Sequence, residues 1–117
     1  MLRLLEQTQR DNFTLIMDTG QWTGSPTQKQ GVPDPNYDTY EFMRQTAAHV
    51  SYVRAKFYKI DSGCEEWLDY DRIVAILKEA NYNGTMGIAF EGGTINDCDN
   101  REVMRRAAAH LRQLLAA

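Results

Sequence analysis

A chain of 117 residues has room for one domain, spanning 1–117, and for a sizeable core. With 43% hydrophobic and 25% charged residues and a formal net charge of -3, the composition is that of an ordinary globular protein. The 13 basic residues are scattered among 16 acidic ones with no Lys/Arg block, which argues against nucleic acid as a partner. No apolar run approaches the roughly 18 residues of a membrane span, and the N-terminus lacks a secretory pattern, so the expected partners exclude a membrane and the expected location is the cytoplasm. Cys64 and Cys98 stand apart without CxxC spacing and read as reduced thiols, not as a disulfide or metal pair.

In chain order, residues 1–9 carry Leu2, Leu4 and Leu5 in a short, partly amphipathic stretch that reads as the last turns of a helix, as if the chain began partway through a larger fold. FTLIMD, 13–18, is too short for a helix and rich enough in β-formers for a buried strand, and it ends on a carboxylate. The segment 20–36, GQWTGSPTQKQGVPDPN, holds all 3 prolines and no hydrophobic period, so a long loop is expected, of the kind that carries function. Residues 37–48 place Tyr40, Met43 and Ala47 at helical spacing. VSYVRAKFY, 50–58, is a second strand whose alternation sets Ser51, Val53, Ala55 and Phe57 on one face and Tyr52, Arg54, Lys56 and Tyr58 on the other. Asp69 can cap a helix running to Ala80, with Ile73, Ile76, Leu77 and Ala80 on its apolar face. TMGIAFE, 85–91, repeats the first strand's pattern of an apolar run closed by a carboxylate and glycine. A last helix then follows, with Asp99 and Glu102 at capping-box spacing and a stripe of Val103, Met104, Ala107, Leu111, Leu114 and Leu115. Strands alternating with helices imply a parallel sheet joined by right-handed crossovers, with helices on the outside.

The runs LIMDTGQW, HVSYVRAKFYKID, LDYDRIVAILKEANYNG and GIAFEGG, taken together, resemble the C-terminal half of the xylose-isomerase-like barrel proteins, the sugar phosphate isomerases and epimerases. The likeness covers nearly the whole chain. It implies half of a (β/α)8 TIM barrel, since a complete one needs about 250 residues, with the preceding half absent from this polypeptide. It implies three recognisable strands and a further short one near Ile60 to Leu68, and an isomerase chemistry that this chain alone is not expected to complete. Family enzymes bind a divalent metal such as Mn, Mg or Zn between two Glu, one Asp and one His at strand ends, where it polarises the substrate while carboxylates shuttle a proton. By resemblance Asp18 matches the metal-binding Asp. The family His is replaced by Arg54, which has no lone pair to give, and one family Glu by Ala89, while the second acid survives as Glu91. The expectation is therefore no cofactor, with a metal at Asp18 resting on the resemblance alone.

Strand alternation points Asp18, Arg54, Lys56 and Glu91 inward at one end of the sheet, with the Arg54 guanidinium expected to stand in for the lost cation by pairing with Asp18, Glu91 or both. The group reads as a solvated ion-pair cluster, as an anion or sugar-phosphate pocket built on Arg54 and Lys56, or as a residual metal site. The candidate catalytic residues are Asp18, Glu91 and Lys56, and the candidate substrate-binding residues are Arg54, Lys56 and Trp22, whose indole, like Tyr37, could stack on a sugar ring or fold the loop onto the barrel. His49 and His110 read as surface or packing residues and Gly92-Gly93 as a turn. Half a barrel leaves an inner face and two edges uncovered. Two copies are expected to complete one another as a homodimer, in a closed or nearly closed eight-stranded assembly; the alternative is a small open α/β sandwich with the 20–36 loop and first helix folded over the inner face. A non-catalytic sugar- or phosphate-binding module and a folded relic with a structural role stand beside the isomerase reading.

Overall fold

The computed structural model describes residues 2–8 and 14–117, so Phe13 of the first expected strand and both ends of the first expected helix lie outside the described residues. The elements run α1 (Leu2–Thr8), β1 (Leu15–Asp18), α2 (Thr39–Thr46), β2 (Val50–Phe57), α3 (Tyr70–Glu79), β3 (Thr85–Phe90) and α4 (Asn100–Ala116), with short 3-10 turns at Pro26–Lys29 and Ala47–His49. The expected order is present. Asp38, Asp69 and Asp99 cap α2, α3 and α4 by accepting the N–H of Glu41, Arg72 and Glu102, which satisfies an amide that the first helical turn leaves unpaired.

The sheet is parallel throughout, in the order β1-β2-β3, and β2 pairs with both neighbours. The alternation read from VSYVRAKF decides the layering. Val53, Ala55 and Phe57 point to one side and are buried there with Met17 of β1, Met43 of α2, Ile73, Val74 and Leu77 of α3, and Val103, Ala107 and Leu111 of α4. The opposite face carries Arg54 and Ile16, both exposed, and Tyr52, whose hydroxyl crosses β3 at Gly87 so closely that a Cβ there would fall 1.9 Å from it. A three-stranded parallel sheet with helices packed on one face is thus an α/β fold.

Two expectations are corrected. Residues 60–68 form turns and no strand, because the amides there are taken by side chains: Asn96 Oδ1 accepts the N–H of Ile60 at 2.7 Å, and the buried Glu65 carboxylate accepts from Tyr58 (2.5 Å), Trp67 (2.8 Å) and Leu68 (3.4 Å). With three strands described per chain, two copies bring six and not eight. The α4 stripe is also wider than the surface that the chain gives it. Val103, Ala107 and Leu111 are buried while Met104 and Leu115 are exposed, because among the described residues β3 is an edge strand and no further element stands beside that flank of α4.

The loops after β2 and β3 are tied together. Asp61 accepts from the amides of Asp97 (2.9 Å) and Cys98 (3.3 Å) and pairs with Lys59 (2.5 Å), while Arg106 of α4 donates to the Asp61 carbonyl (2.7 Å). These donors hold the Asp61 carboxyl far below the usual carboxylate range, the Lys59 ammonium first among them. The two loops therefore present the ends of their strands as one body.

Truncating Ile73, which is wholly buried, to Ala is expected to lower the unfolding free energy by about 2–5 kcal/mol. Leu115→Ala, at 48% exposure, should stay within about 0.5 kcal/mol. Urea unfolding of the two variants checks both values, and equal losses would contradict the exposure of the α4 flank.

Candidate functional site

Parallel strands bring their C-terminal ends to one side, and the three strand ends here deliver Asp18, Lys56 and Glu91 together. Register does the aligning: Asp18 lies beside Arg54, and Lys56 beside Ala89, two residues before Glu91. The Lys56 ammonium sits between the two acids, 3.4 Å from Asp18 Oδ2 and in direct contact with Glu91 Oε1. Its side chain is 3% exposed, against 48% for Glu91. Arg54 reaches Asp18 only at 3.8 Å, makes no ion pair with Glu91 among the described residues, and keeps 55% of its side chain in solvent. The place expected for the Arg54 guanidinium, between the acids, is thus held by Lys56. Lys56 stands two residues nearer the strand end, where Glu91 emerges, whereas Arg54 faces the flat middle of the sheet at Gly87.

Burial alone would lower the Lys56 pKa, yet the Glu91 and Asp18 carboxylates outweigh it and hold the ammonium above its ordinary value. The backbone beneath is fixed as well. Thr19, fully buried after β1, donates its N–H to the Arg54 carbonyl (3.1 Å), and its hydroxyl accepts the N–H of Lys56 (2.9 Å). Tyr70, the first residue of α3, donates its hydroxyl to the Lys56 carbonyl (2.5 Å), lies 3.1 Å from the Thr19 hydroxyl, and stacks on Phe57 with ring centroids 4.6 Å apart. Burial pushes the Tyr70 phenol well above its usual range, so it remains a donor. Gly20 donates its N–H to Asp18 Oδ1 (2.9 Å) and passes so close to Lys56 that a Cβ there would stand 3.2 Å from the lysine stem and 2.4 Å from the Tyr58 hydroxyl. Any side chain at Gly20 would displace the cluster.

The other expected residues fall elsewhere. Trp22 tilts against Phe42 of α2 at 6.1 Å, its indole N–H buried without an acceptor, and it shares no hydrogen bond with the charged group among the described residues. Tyr37 is exposed beside Gly24. His49 is exposed, whereas His110 is buried, its Nδ1 accepting the Glu65 N–H at 3.4 Å. Gly92 is buried, a Cβ there falling 2.2 Å from the Tyr58 carbonyl, and Gly93 turns with φ +59. Sequence reasoning missed Thr19, Tyr70 and Glu65. Each acts through backbone hydrogen bonds to a distant segment, which no local spacing reveals, although Thr19-Gly20 directly after a strand-terminal acid was a signal that could have been followed.

The residues present do not fit the divalent metal that the family resemblance implies. Asp18 and Glu91 already share the Lys56 ammonium, Arg54 and Ala89 supply no lone pair, and among the described residues no group of three or more His, Cys, Asp or Glu is placed to hold an ion. What the arrangement can do is bind. It has a floor in which one ammonium meets two carboxylates and, at its rim, a half-exposed guanidinium whose donors can meet an anion. Comparison with protein-family models and with curated proteins returns no match for this chain.

Replacing Lys56 by Met leaves two carboxylates facing each other, and the expected loss at neutral pH is about 3 kcal/mol, the low end for a broken buried pair because Glu91 is half in solvent. The Lys56 pKa is raised in the folded state, so its contribution is complete below the unfolded lysine value of about 10.4 and is lost as pH rises through the folded value. Denaturation midpoints should therefore fall more steeply above about pH 10.4 in the wild type than in Lys56→Met. Parallel curves would show that the pair adds nothing to stability.

Proposed function

We propose that the chain is a sugar (phosphate) isomerase/epimerase-like half-barrel that binds a sugar or sugar phosphate without turning it over. The observation that carries this reading is the Lys56 ammonium held by both Asp18 and Glu91. A proton-shuttling carboxylate must be free to accept and return a proton, and a metal-binding one must offer an open lone pair; both acids here are committed to an internal cation. Arg54, by contrast, keeps most of its donors unengaged at the open inner face, beside Tyr52 and the flat strand surface at Gly87 and Ala89. A planar fork of donors suits a phosphate, and the rim oxygens of Glu91 suit sugar hydroxyls. The parallel sheet with helices on one face and the acids at its strand ends supports the half-barrel, as does the uncovered opposite face with Ile16 and Arg54 in solvent. Among the described residues no helix is long and apolar enough to cross a membrane. Two unpaired thiols, Cys64 and Cys98, suit a reducing cytoplasmic setting.

The test is a calorimetric or NMR titration with inorganic phosphate and with hexose and pentose phosphates. Saturable binding that Arg54→Ala weakens about tenfold or more, the worth of a hydrogen-bonded charge pair, is the expected result. Binding untouched by Arg54→Ala, or no binding at all, would remove the pocket. Isomerisation of the same sugars that Asp18→Ala abolishes would restore the enzyme reading in its place.

A further inference from the structure

The chain holds one Asn-Gly pair, Asn83-Gly84, in the turn between α3 and β3. The side-chain amide of an asparagine can be attacked by the backbone nitrogen of the residue that follows it. Attack is favoured where that residue has no Cβ to bar the approach, where its N–H is not held in a hydrogen bond, and where the backbone lies outside helix and strand. Asn83 and Gly84 are both exposed and belong to neither. Among the described residues the Gly84 N–H meets no acceptor and the Asn83 side chain makes no hydrogen bond. Ladder pairing begins only at Thr85, opposite Tyr52, and the Tyr82 hydroxyl donates to the Thr85 carbonyl at 2.6 Å, so the pair sits in a turn fastened on either side of it.

The other described asparagines are withheld from this reaction. Tyr37, after Asn36, donates its N–H to the Asp34 carbonyl (3.2 Å), and Tyr82, after Asn81, donates to the Leu77 carbonyl (2.9 Å). Asp97, after Asn96, donates to the Asp61 carboxylate (2.9 Å), and the Asn96 side chain is itself held by the Ile60 N–H and the Tyr58 carbonyl, each at 2.7 Å. Asn100 opens α4, and Arg101 behind it carries a full side chain on a backbone held helical.

We propose that Asn83 is a site of spontaneous covalent modification, deamidation through a cyclic imide formed with Gly84. The Gly84 nitrogen gives its proton to solvent base and bonds to Asn83 Cγ, the Cγ–Nδ2 bond breaks, and ammonia leaves with a proton from solvent. Water then opens the imide. Cleavage of the bond from nitrogen to Cγ gives aspartate, and cleavage of the bond from nitrogen to the former backbone carbonyl gives isoaspartate; neither step needs an oxidant or reductant. Either product adds a carboxylate beside the apolar groove of α3, α4 and β3, which Gly84 lines together with the cations Lys78 and Arg112. Isoaspartate also lengthens the backbone by one carbon immediately before the β2–β3 ladder begins. The site is independent of the ligand reading, since neither Arg54 nor Lys56 takes part.

The test is incubation of the intact protein in warm, mildly alkaline buffer, followed by digestion and mass spectrometry with electron-transfer fragmentation, which tells aspartate from isoaspartate. Asn83 is expected to convert at least about tenfold faster than any other asparagine of the chain, and faster still as pH rises, because the attacking group is the deprotonated amide. Gly84→Ala, shown to be folded by circular dichroism, is expected to slow the conversion about tenfold or more. Hydrogen exchange followed by NMR on the unmodified protein is expected to find the Gly84 amide unprotected beside protected amides at Tyr82 and Asp97. Faster conversion at another asparagine, a protected Gly84 amide, or a folded Gly84→Ala that converts as fast as the wild type overturns the proposal.

Discussion

An ammonium removed from water must be met by counter-charge, and most of the functional end of this protein follows from that requirement at Lys56. The strand pattern places the lysine one step from the end of β2, and the parallel register brings one acid from each neighbouring strand to it. Thr19 and Tyr70 then fix the backbone on either side, so that the cation cannot withdraw along its strand without breaking a buried hydroxyl network. The ion pairs and the hydroxyls act together: the first set the charge, the second set where it stands.

This arrangement bears on Arg54 and Ala89, the positions where the resemblance implies a His and a Glu. In a site built around a metal, losing two ligands leaves carboxylates without a partner. Here an internal cation takes that position, and its own stem packs against Gly20, where only a glycine leaves room. A lysine is a poor replacement for a Lewis acid because its charge sits on one nitrogen already bonded to three protons, so it can balance carboxylates but cannot open a coordination site to a sugar hydroxyl. At the rim, Arg54 and Glu91 still meet solvent.

Much of the fold was legible because its signals are local. Period-two alternation in VSYVRAKF assigned the two faces of β2, and Asp69 and Asp99, placed ahead of apolar-periodic runs, marked two helix starts within a residue. What could not be read depends on partners far along the chain. A short strand around Ile60 was expected from the resemblance, whereas Asn96 and Glu65 take amides there and the segment turns. The stripe of α4 was legible as a helix face, but which edge of it would be covered depends on a neighbour that the described fold does not supply. The four charged residues gather at one end of the sheet, as alternation implied, yet the choice between Arg54 and Lys56 as the central cation turns on side-chain reach, to which alternation is blind. The segment 20–36 was read as a long loop, and within it Ser25 caps a short 3-10 turn, with Gly24 and Gly31 at φ +80 and +95.

Because β1 and β3 each pair only with β2, the middle strand in space is also the middle strand in sequence. Among the described strands, neither β1 nor β3 has a partner until β2 is present, and both pairings must close loops of some thirty residues before any ladder rewards them. Formation of this sheet is thus paced by β2, whichever neighbour joins it first.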